Sequence, residues 1–355
     1  MTTLISLSEQ PQIEVSYYYS ERDWIIDQTT FDMRNLSYLH KERFKKRGYS
    51  MGKKLGQGSF GDVYSIRQKD CQKNSSLKYL AAKISAQDES ANEMGLFNEA
   101  WIMSLGSECE NIISLIDIFF VQNSINEQKI LFAYYLMPKA ESSLHTFTHS
   151  KGPFEEEITK VYFYDIVNGL YFLHNKGIAH RDIKLQNILV VKSSHRLVAK
   201  LGDFGLSKVV KSIKHEIEMF KKPAGTMSYM SPEIMDCYIK SKTGQKKDIK
   251  PWNAFQGDCW AAGICLYYLL TDEAPFMKSP ASKTDRLEWG NLLLQKQIAK
   301  EWRRIPRIES TSDLCKRMIN RLLEPNPSER LTVQQVMNAC WFKLTTESHK
   351  TNDLS

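Results

Sequence analysis

The stretch from His180 to Gly205 limits what this chain can be more than any other. It runs His180-Arg181-Asp182-Ile183-Lys184-Leu185-Gln186-Asn187, continues through the apolar segment Ile188-Leu189-Val190-Val191, and closes on Asp203-Phe204-Gly205. Short apolar segments of this kind read as the strands of a hairpin, so Asp182, Asn187 and Asp203 fall on connecting loops. Oxygen ligands in that number suit Mg²⁺, which takes one or two carboxylates plus substrate phosphates rather than a full protein cage. Asp182, five positions before Asn187, can instead accept the proton of a hydroxyl substrate. A lone aspartate of this sort is ordinarily a solvated loop residue; the ordered set is what carries chemistry.

This stretch resembles the catalytic loop and the metal-binding loop of eukaryotic protein kinases, His-Arg-Asp-x-x-x-x-Asn and Asp-Phe-Gly, with every fixed position filled. The spacing of twenty-one between Asp182 and Asp203 leaves room for a loop, a β-hairpin and a second loop. The resemblance implies an α+β, two-lobed protein kinase fold. A small antiparallel β lobe with one main helix comes first, then a larger α-helical lobe, with ATP between them.

Length and composition agree with a soluble protein of that size. The 355 residues are 42% hydrophobic and 25% charged, ordinary values for a globular chain. Seven cysteines, scattered and without a CxxC pair, argue for a reducing compartment and against structural zinc. Met1 to Leu7 has neither a basic start nor an apolar run, so no signal peptide is read there. The longest apolar run, Cys259 to Leu270, is shorter than the ~20 residues of a membrane span and reads as a buried core helix. An intracellular protein, cytoplasmic or nuclear and monomeric, is expected. The net charge of +7 is mild, and neither of its basic clusters, Lys41 to Arg47 and Lys240 to Lys250, carries the aromatic interleaving expected of a single-strand binder. They read as solvated surface, with no nucleic-acid partner.

Residues 1–48 form an N-terminal extension without a motif. Its Tyr17-Tyr18-Tyr19 and Trp24-Ile25-Ile26 are apolar enough to pack, so part of it is expected to lie ordered on the first lobe. From Tyr49 the pattern changes to short strands and turns. Leu55-Gly56-Gln57-Gly58-Ser59-Phe60-Gly61-Asp62-Val63 is a G-x-G-x-x-G-x-V sequence, whose glycines let backbone N–H groups approach phosphates. Dinucleotide-binding folds use the same glycines but then open a helix, whereas Val63-Tyr64-Ser65-Ile66 continues as a strand. Leu80-Ala81-Ala82-Lys83-Ile84 places a lysine inside an apolar strand, where lysine is rare unless paired. The resemblance gives Lys83 the α- and β-phosphates and a glutamate partner on the next helix. Glu99 is the candidate, with Glu93 as the alternative.

Ile130 to Ala133 reads as a buried strand leading to Tyr134 at the gatekeeper position and to an inter-lobe hinge at Tyr135-Leu136-Met137. Pro138 ends the strand. Ile158, Val161, Tyr162, Asp165, Ile166, Gly169, Leu170 and Leu173 recur at three and four, the mark of a long amphipathic helix. Further along, Gly225 to Glu233 resembles the end of a kinase activation segment, with Ser231 in place of the usual alanine. By the same resemblance Thr226 bonds around Asp182 and Lys184, Glu233 pairs with Arg330, and Asp258 braces the catalytic loop.

The kinase domain is therefore expected over 49–343, with an N-lobe over 49–137, a C-lobe over 138–343 and a tail over 344–355. The expected reaction moves the γ-phosphoryl group of Mg-ATP to serine or threonine hydroxyls of protein substrates, Lys184 being what serine/threonine kinases carry. Asp182, Lys184 and Asn187 are the catalytic set, and Asn187 and Asp203 hold the metal. Leu55, Gly56, Gly58, Gly61, Val63, Ala81, Lys83, Glu99, Tyr135, Met137, Leu189 and Asp203 contact ATP. Arg181, Phe204, Thr226, Glu233, Asp258 and Arg330 are structural. Glu141, just past the expected hinge, is read as favouring basic residues before the target hydroxyl. A pseudokinase scaffold is the competing class, but such proteins lack one of Lys83, Asp182 or Asp203. In kinases with an arginine at 181, that side chain pairs with an activation-segment phosphate. From Ile213 to Ala224, however, there is no serine, threonine or tyrosine. Glu216 and Glu218 are the expected substitutes, with Ser207 and Ser212 as earlier phosphosites and packing alone as the plain alternative.

Overall fold

The computed structural model describes residues 36–58, 61–69, 79–88, 94–125, 128–211, 216–276, 285–304 and 308–343. The segments 17–19 and 24–26, Glu93, Ser212 and the tail from 344 lie outside them. The first lobe comprises α1 (Leu36–Lys46), β1 (Tyr49–Gly58), β2 (Gly61–Gln68), β3 (Tyr79–Asp88), α2 (Met94–Ser104), β4 (Asp117–Ile125) and β5 (Gln128–Pro138). Its strands make one antiparallel sheet in the order β1-β2-β3-β5-β4.

Side chains two apart share a face of a strand, and β5 uses both faces. Ala133, Tyr135 and Met137 join the inner core with Ala81 of β3 and Leu96, Ala100 and Met103 of α2. Phe132, Tyr134 and Leu136 join the outer cluster with Leu80, Ala82, Ile84 and Phe44 of α1. Tyr134 is fully buried there, stacked on Phe119 with ring centroids 4.4 Å apart and edge-on to Phe44. It lies on the face opposite Lys83, so the gatekeeper expectation for Tyr134 is corrected. Met137, opposite Ala81, is the last inward side chain before Pro138. The hinge expectation is corrected as well. Tyr135 and Leu136 are paired with both β3 and β4, and Met137 with β3, so all three belong to the sheet. The connection between lobes is Lys139 to Glu141. Tyr135 donates its hydroxyl to Leu96 O of α2 at 2.9 Å and so packs beneath that helix.

α1 lies inside the region read as an extension, yet it closes the outer face of the sheet. Phe44 is fully buried, and His40 Nδ1 sits 2.7 Å from Tyr134 Oη, where a neutral imidazole accepts the phenol proton. Burial pushes His40 down to about 4, against a smaller opposing pull from Asp62. Folded His40 resists a proton that the unfolded chain accepts near 6.5, so its contribution is intact above 6.5 and drains away as pH falls towards 4. Between pH 7.5 and 4.5 this lowers stability by roughly 2–3 kcal/mol. Urea unfolding of His40→Gln across that range should lose this part of the slope; an unchanged slope would contradict it.

The second lobe contains β6 (Ser142–Ser143), α3 (Leu144–Lys151), α4 (Glu156–Asn175), β7 (Ile178–Ala179), β8 (Ile188–Lys192), β9 (Leu197–Leu201), β10 (Lys208–Val209) and β11 (Met219–Phe220). It continues with α5 (Pro232–Lys242), β12 (Trp252–Asn253), α6 (Ala254–Thr271), α7 (Arg286–Ile298), α8 (Asp313–Leu322), α9 (Val333–Met337) and α10 (Cys340–Lys343). α6 is apolar on nearly all sides and buried accordingly; Asn253 caps it by accepting from Phe255 N. No described helix is long and apolar enough to cross a membrane. α4 buries Tyr162, Ile166, Gly169, Leu170 and Leu173, but Ile158 and Val161 are 48% and 45% exposed. Each three-residue step falls roughly 60° short of a full turn, which carries Val161 off the buried face.

Candidate active site

Two loops flank the β8–β9 hairpin, and the hairpin sets their spacing. Ile188 pairs with Leu201, and Gly202 N donates to Asn187 O at 2.9 Å, so Asn187 and Asp203 leave the same end of one ribbon. His180 ties the loops a second time. Its Nε2 donates to Gly202 O at 3.1 Å while Nδ1 accepts from Asp182 N at 3.3 Å, a pairing that the neutral Nε2–H tautomer satisfies at both ends. The Phe204 ring, fully buried, lies 5.2 Å from that imidazole.

Arg181 and Asp203 both hold left-handed backbone, φ 68° and 58°, a conformation costly for side-chain-bearing residues and sustained here by neighbours. For Arg181 the neighbour is Asp258 of α6. Its Oδ2 accepts from His180 N and its Oδ1 from Arg181 N, both at 2.8 Å, and His174 Nε2 lies 3.0 Å from Oδ2. His174 was not singled out in the sequence; it ends α4 with no motif of its own.

Lys83 is buried, and its Nζ bridges Glu99 Oε1 and Asp203 Oδ1, each at 2.6 Å. Burial would lower its pKa, but the two carboxylates outweigh it and hold the ammonium above the ordinary lysine value. Glu99 is thus the partner among described residues, and α2 is drawn in against the metal loop. Asp182 is satisfied on both oxygens. Oδ1 accepts from Thr226 N (2.9 Å) and Thr226 Oγ1 (2.8 Å); Oδ2 accepts from Lys184 Nζ (2.7 Å) and Asn187 Nδ2 (3.0 Å). Burial pushes this carboxyl up, yet the Lys184 and Thr226 contacts bring it below the ordinary aspartate range. Asp182 is therefore held as a charged carboxylate. Asn187 Nδ2 donates to Asp182 O at 2.9 Å as well as to Oδ2, so its amide nitrogen is committed to that residue.

Thr226 reaches Asp182 because Gly225 turns the chain at φ 98°, and a Cβ there would lie 2.7 Å from Arg181 O. Glu233 and Arg330 form two bonds of 2.7 and 2.9 Å at the segment's far end. Arg181 departs from expectation. Its guanidinium lies over the Phe220 ring, 4.6 Å from the centroid, and bonds Leu206 O at 3.3 Å. Glu218, near enough to favour the charge on Arg181, is bonded to Lys208 at 2.7 Å instead. Packing on an aromatic ring thus stands where a direct bond from Arg181 to Glu218 was expected. Ser207 is buried, with Oγ bonded to His180 O at 3.2 Å.

The expected ATP-contacting residues divide. Val63 and Leu189, partly buried, pack on the same core as Ala81 and Met137 and form one apolar wall. Leu55 is exposed on β1, outside that wall. Gly56 pairs with Val63 and Gly58 with Gly61 across the first hairpin. A Cβ on Gly58 would lie 3.9 Å from Asp203 Oδ2, so the end of β1 overhangs that carboxylate.

The sequence model of the protein kinase domain matches residues 49–342. The chain belongs to the protein kinase family. Serine/threonine-protein kinase 33 of Bos taurus is 28% identical over 308 residues, covering 84% of this chain and 56% of that protein. CBL-interacting protein kinase 26 of Oryza sativa subsp. japonica is 26% identical over 315 residues, 86% of this chain and 55% of that one. CBL-interacting serine/threonine-protein kinase 15 of Arabidopsis thaliana is 26% identical over 300 residues, covering 83% and 61%. The kinase domain thus spans a little over half the length of these relatives.

Proposed function

We propose that this protein transfers the γ-phosphoryl group of Mg-ATP to serine and threonine hydroxyls of proteins, and that residues 49–343 are the catalytic unit. The observation that carries the reading is Lys83, held protonated between Glu99 and Asp203 beside the fully hydrogen-bonded Asp182. The residues fit a metal–nucleotide pair. Gly58 overhangs the Asp203 carboxylate, while Val63, Ala81, Met137 and Leu189 offer a flat apolar wall for a base. Among the described residues no three His, Cys, Asp or Glu side chains gather to hold a metal alone. That suits Mg²⁺, which is content with few protein ligands when phosphates supply the rest.

When bound, Mg-ATP supplies the phosphoryl group, and its metal neutralises charge on the phosphate oxygens. The chain's part is positioning and charge. Lys83 fixes the nucleotide phosphates, and Asp203 with the carbonyl oxygen of Asn187 holds the metal. Asp182 aligns the acceptor hydroxyl, and Lys184 steadies negative charge at the transferred group. The serine/threonine assignment follows the Lys184–Asp182–Thr226 arrangement and the printed names of the relatives.

Full-length protein with labelled Mg-ATP and a mixture of serine, threonine and tyrosine peptides tests both parts. Phosphoserine and phosphothreonine are the expected products. Phosphotyrosine as the main product would overturn the specificity, and no transfer to any peptide would overturn the enzymatic reading in favour of a binding module.

A further inference from the structure

We infer that five lysines beside the activation segment form a docking surface for anionic side chains, carboxylates or phosphates, of the protein substrate. The inference rests on the phosphoryl-transfer reading and gives that site its substrate class. β11 and β12 pair antiparallel with Phe220 opposite Trp252, so the end where Lys221 and Lys222 leave β11 is the end where Lys250 leads into β12. Cys237 Sγ of α5 donates to Lys221 O at 3.3 Å and fixes that end against the helix. The chain beyond α5 turns through Lys246–Asp248, which adds Lys246 and Lys247.

All five lysines are exposed, and none makes an ion pair with a described residue. Nearby carboxylates are mostly spent. Glu218 is bonded to Lys208 and Asp236 to Lys240, each at 2.7 Å, and Asp248 is the one carboxylate within the 246–250 stretch. Glu216 lies further back, before β11, and Glu141 is a single exposed carboxylate on the inter-lobe connection.

Position separates this patch from ordinary solvated surface. Lys222 precedes Thr226 by four residues, and Thr226 Oγ1 lies 2.8 Å from Asp182 Oδ1. Four extended residues span at most about 14 Å, so an anion within about four residues of the acceptor hydroxyl comes within reach of Lys222. The insert lysines would serve anions further along. Exposed charge of this kind steers encounter and selects partners more than it tightens binding.

The test uses full-length protein and thirteen-residue peptides with one acceptor serine, flanked by glutamate, phosphoserine, glutamine or arginine. Binding is read by fluorescence anisotropy and transfer by kcat/KM. The variant combines Lys221→Ser, Lys222→Ser, Lys246→Ser, Lys247→Ser and Lys250→Ser. Wild type should favour the acidic peptides over the glutamine peptide by roughly tenfold, less at high salt. The variant should lose that preference while turning over the glutamine peptide as before. The glutamate and phosphoserine arms show which anion is preferred. A preference for arginine flanks, as Glu141 would favour, or acidic preference surviving in the variant, would overturn the inference. Equal lysine-dependent binding of a charge-matched DNA oligonucleotide would also overturn it, by removing the protein as the selected partner. Lysine-dependent peptide binding with no transfer to any peptide would sink the phosphoryl-transfer reading and leave the docking surface standing.

Discussion

Asp203→Asn should lower phosphoryl transfer by about 10³-fold or more, with the fold kept. Asparagine preserves the shape of the side chain but removes the negative oxygen meant for the metal. The protein around it has reason to tolerate the change. Lys83 keeps Glu99 at 2.6 Å, so its buried ammonium is not left without a carboxylate. The metal loop keeps its β8–β9 support and its His180 bond, neither of which uses the Asp203 side chain. Turnover and thermal unfolding measured on one preparation decide the matter. A rate within a few-fold of wild type would remove Asp203 from the mechanism, and collapse of the fold would show a structural role instead.

Arg330→Met should cost about 3–5 kcal/mol in stability, the largest loss expected of a single change outside the hydrophobic core. The Arg330 side chain is wholly buried and bonds both oxygens of Glu233, at 2.7 and 2.9 Å. It also bonds Gln256 O at 2.7 Å and Glu324 O at 3.0 Å, and its guanidinium lies 5.1 Å from the centroid of Trp260. Methionine restores volume but none of these donors, so Glu233 keeps a mostly buried charge without its partner. Adding Glu233→Gln should return part of the loss, because the uncompensated charge goes with it. Urea unfolding of the two variants provides the comparison. A loss below about 1 kcal/mol for Arg330→Met would mean that the pair is solvated in practice.

Residues whose placement depends on spacing along the chain were legible without coordinates. Asp182, Lys184, Asn187 and Asp203 sit on two loops joined by one short hairpin, so their separation in sequence nearly dictates their separation in space. Lys83 was legible as an anomaly, a charge inside an apolar strand that needs a partner. The failures share a cause. Tyr134 and Tyr135 are adjacent and chemically alike, and only the register with β3 decides which one faces Lys83. Arg181 and Phe220 meet across a turn of the activation segment that no spacing rule describes. His40 reaches Tyr134 only because α1 folds back over the sheet, a tertiary event without a local signature.

Among the described residues, the bonds that hold Asp182 come from the catalytic loop and the activation segment, whereas Lys83 is an ion-pair link from the sheet to Asp203. The two jaws of the cleft are therefore unequal. Parting Lys83 from Asp203 would undo that ion pair while every contact on the Asp182 carboxylate stays made.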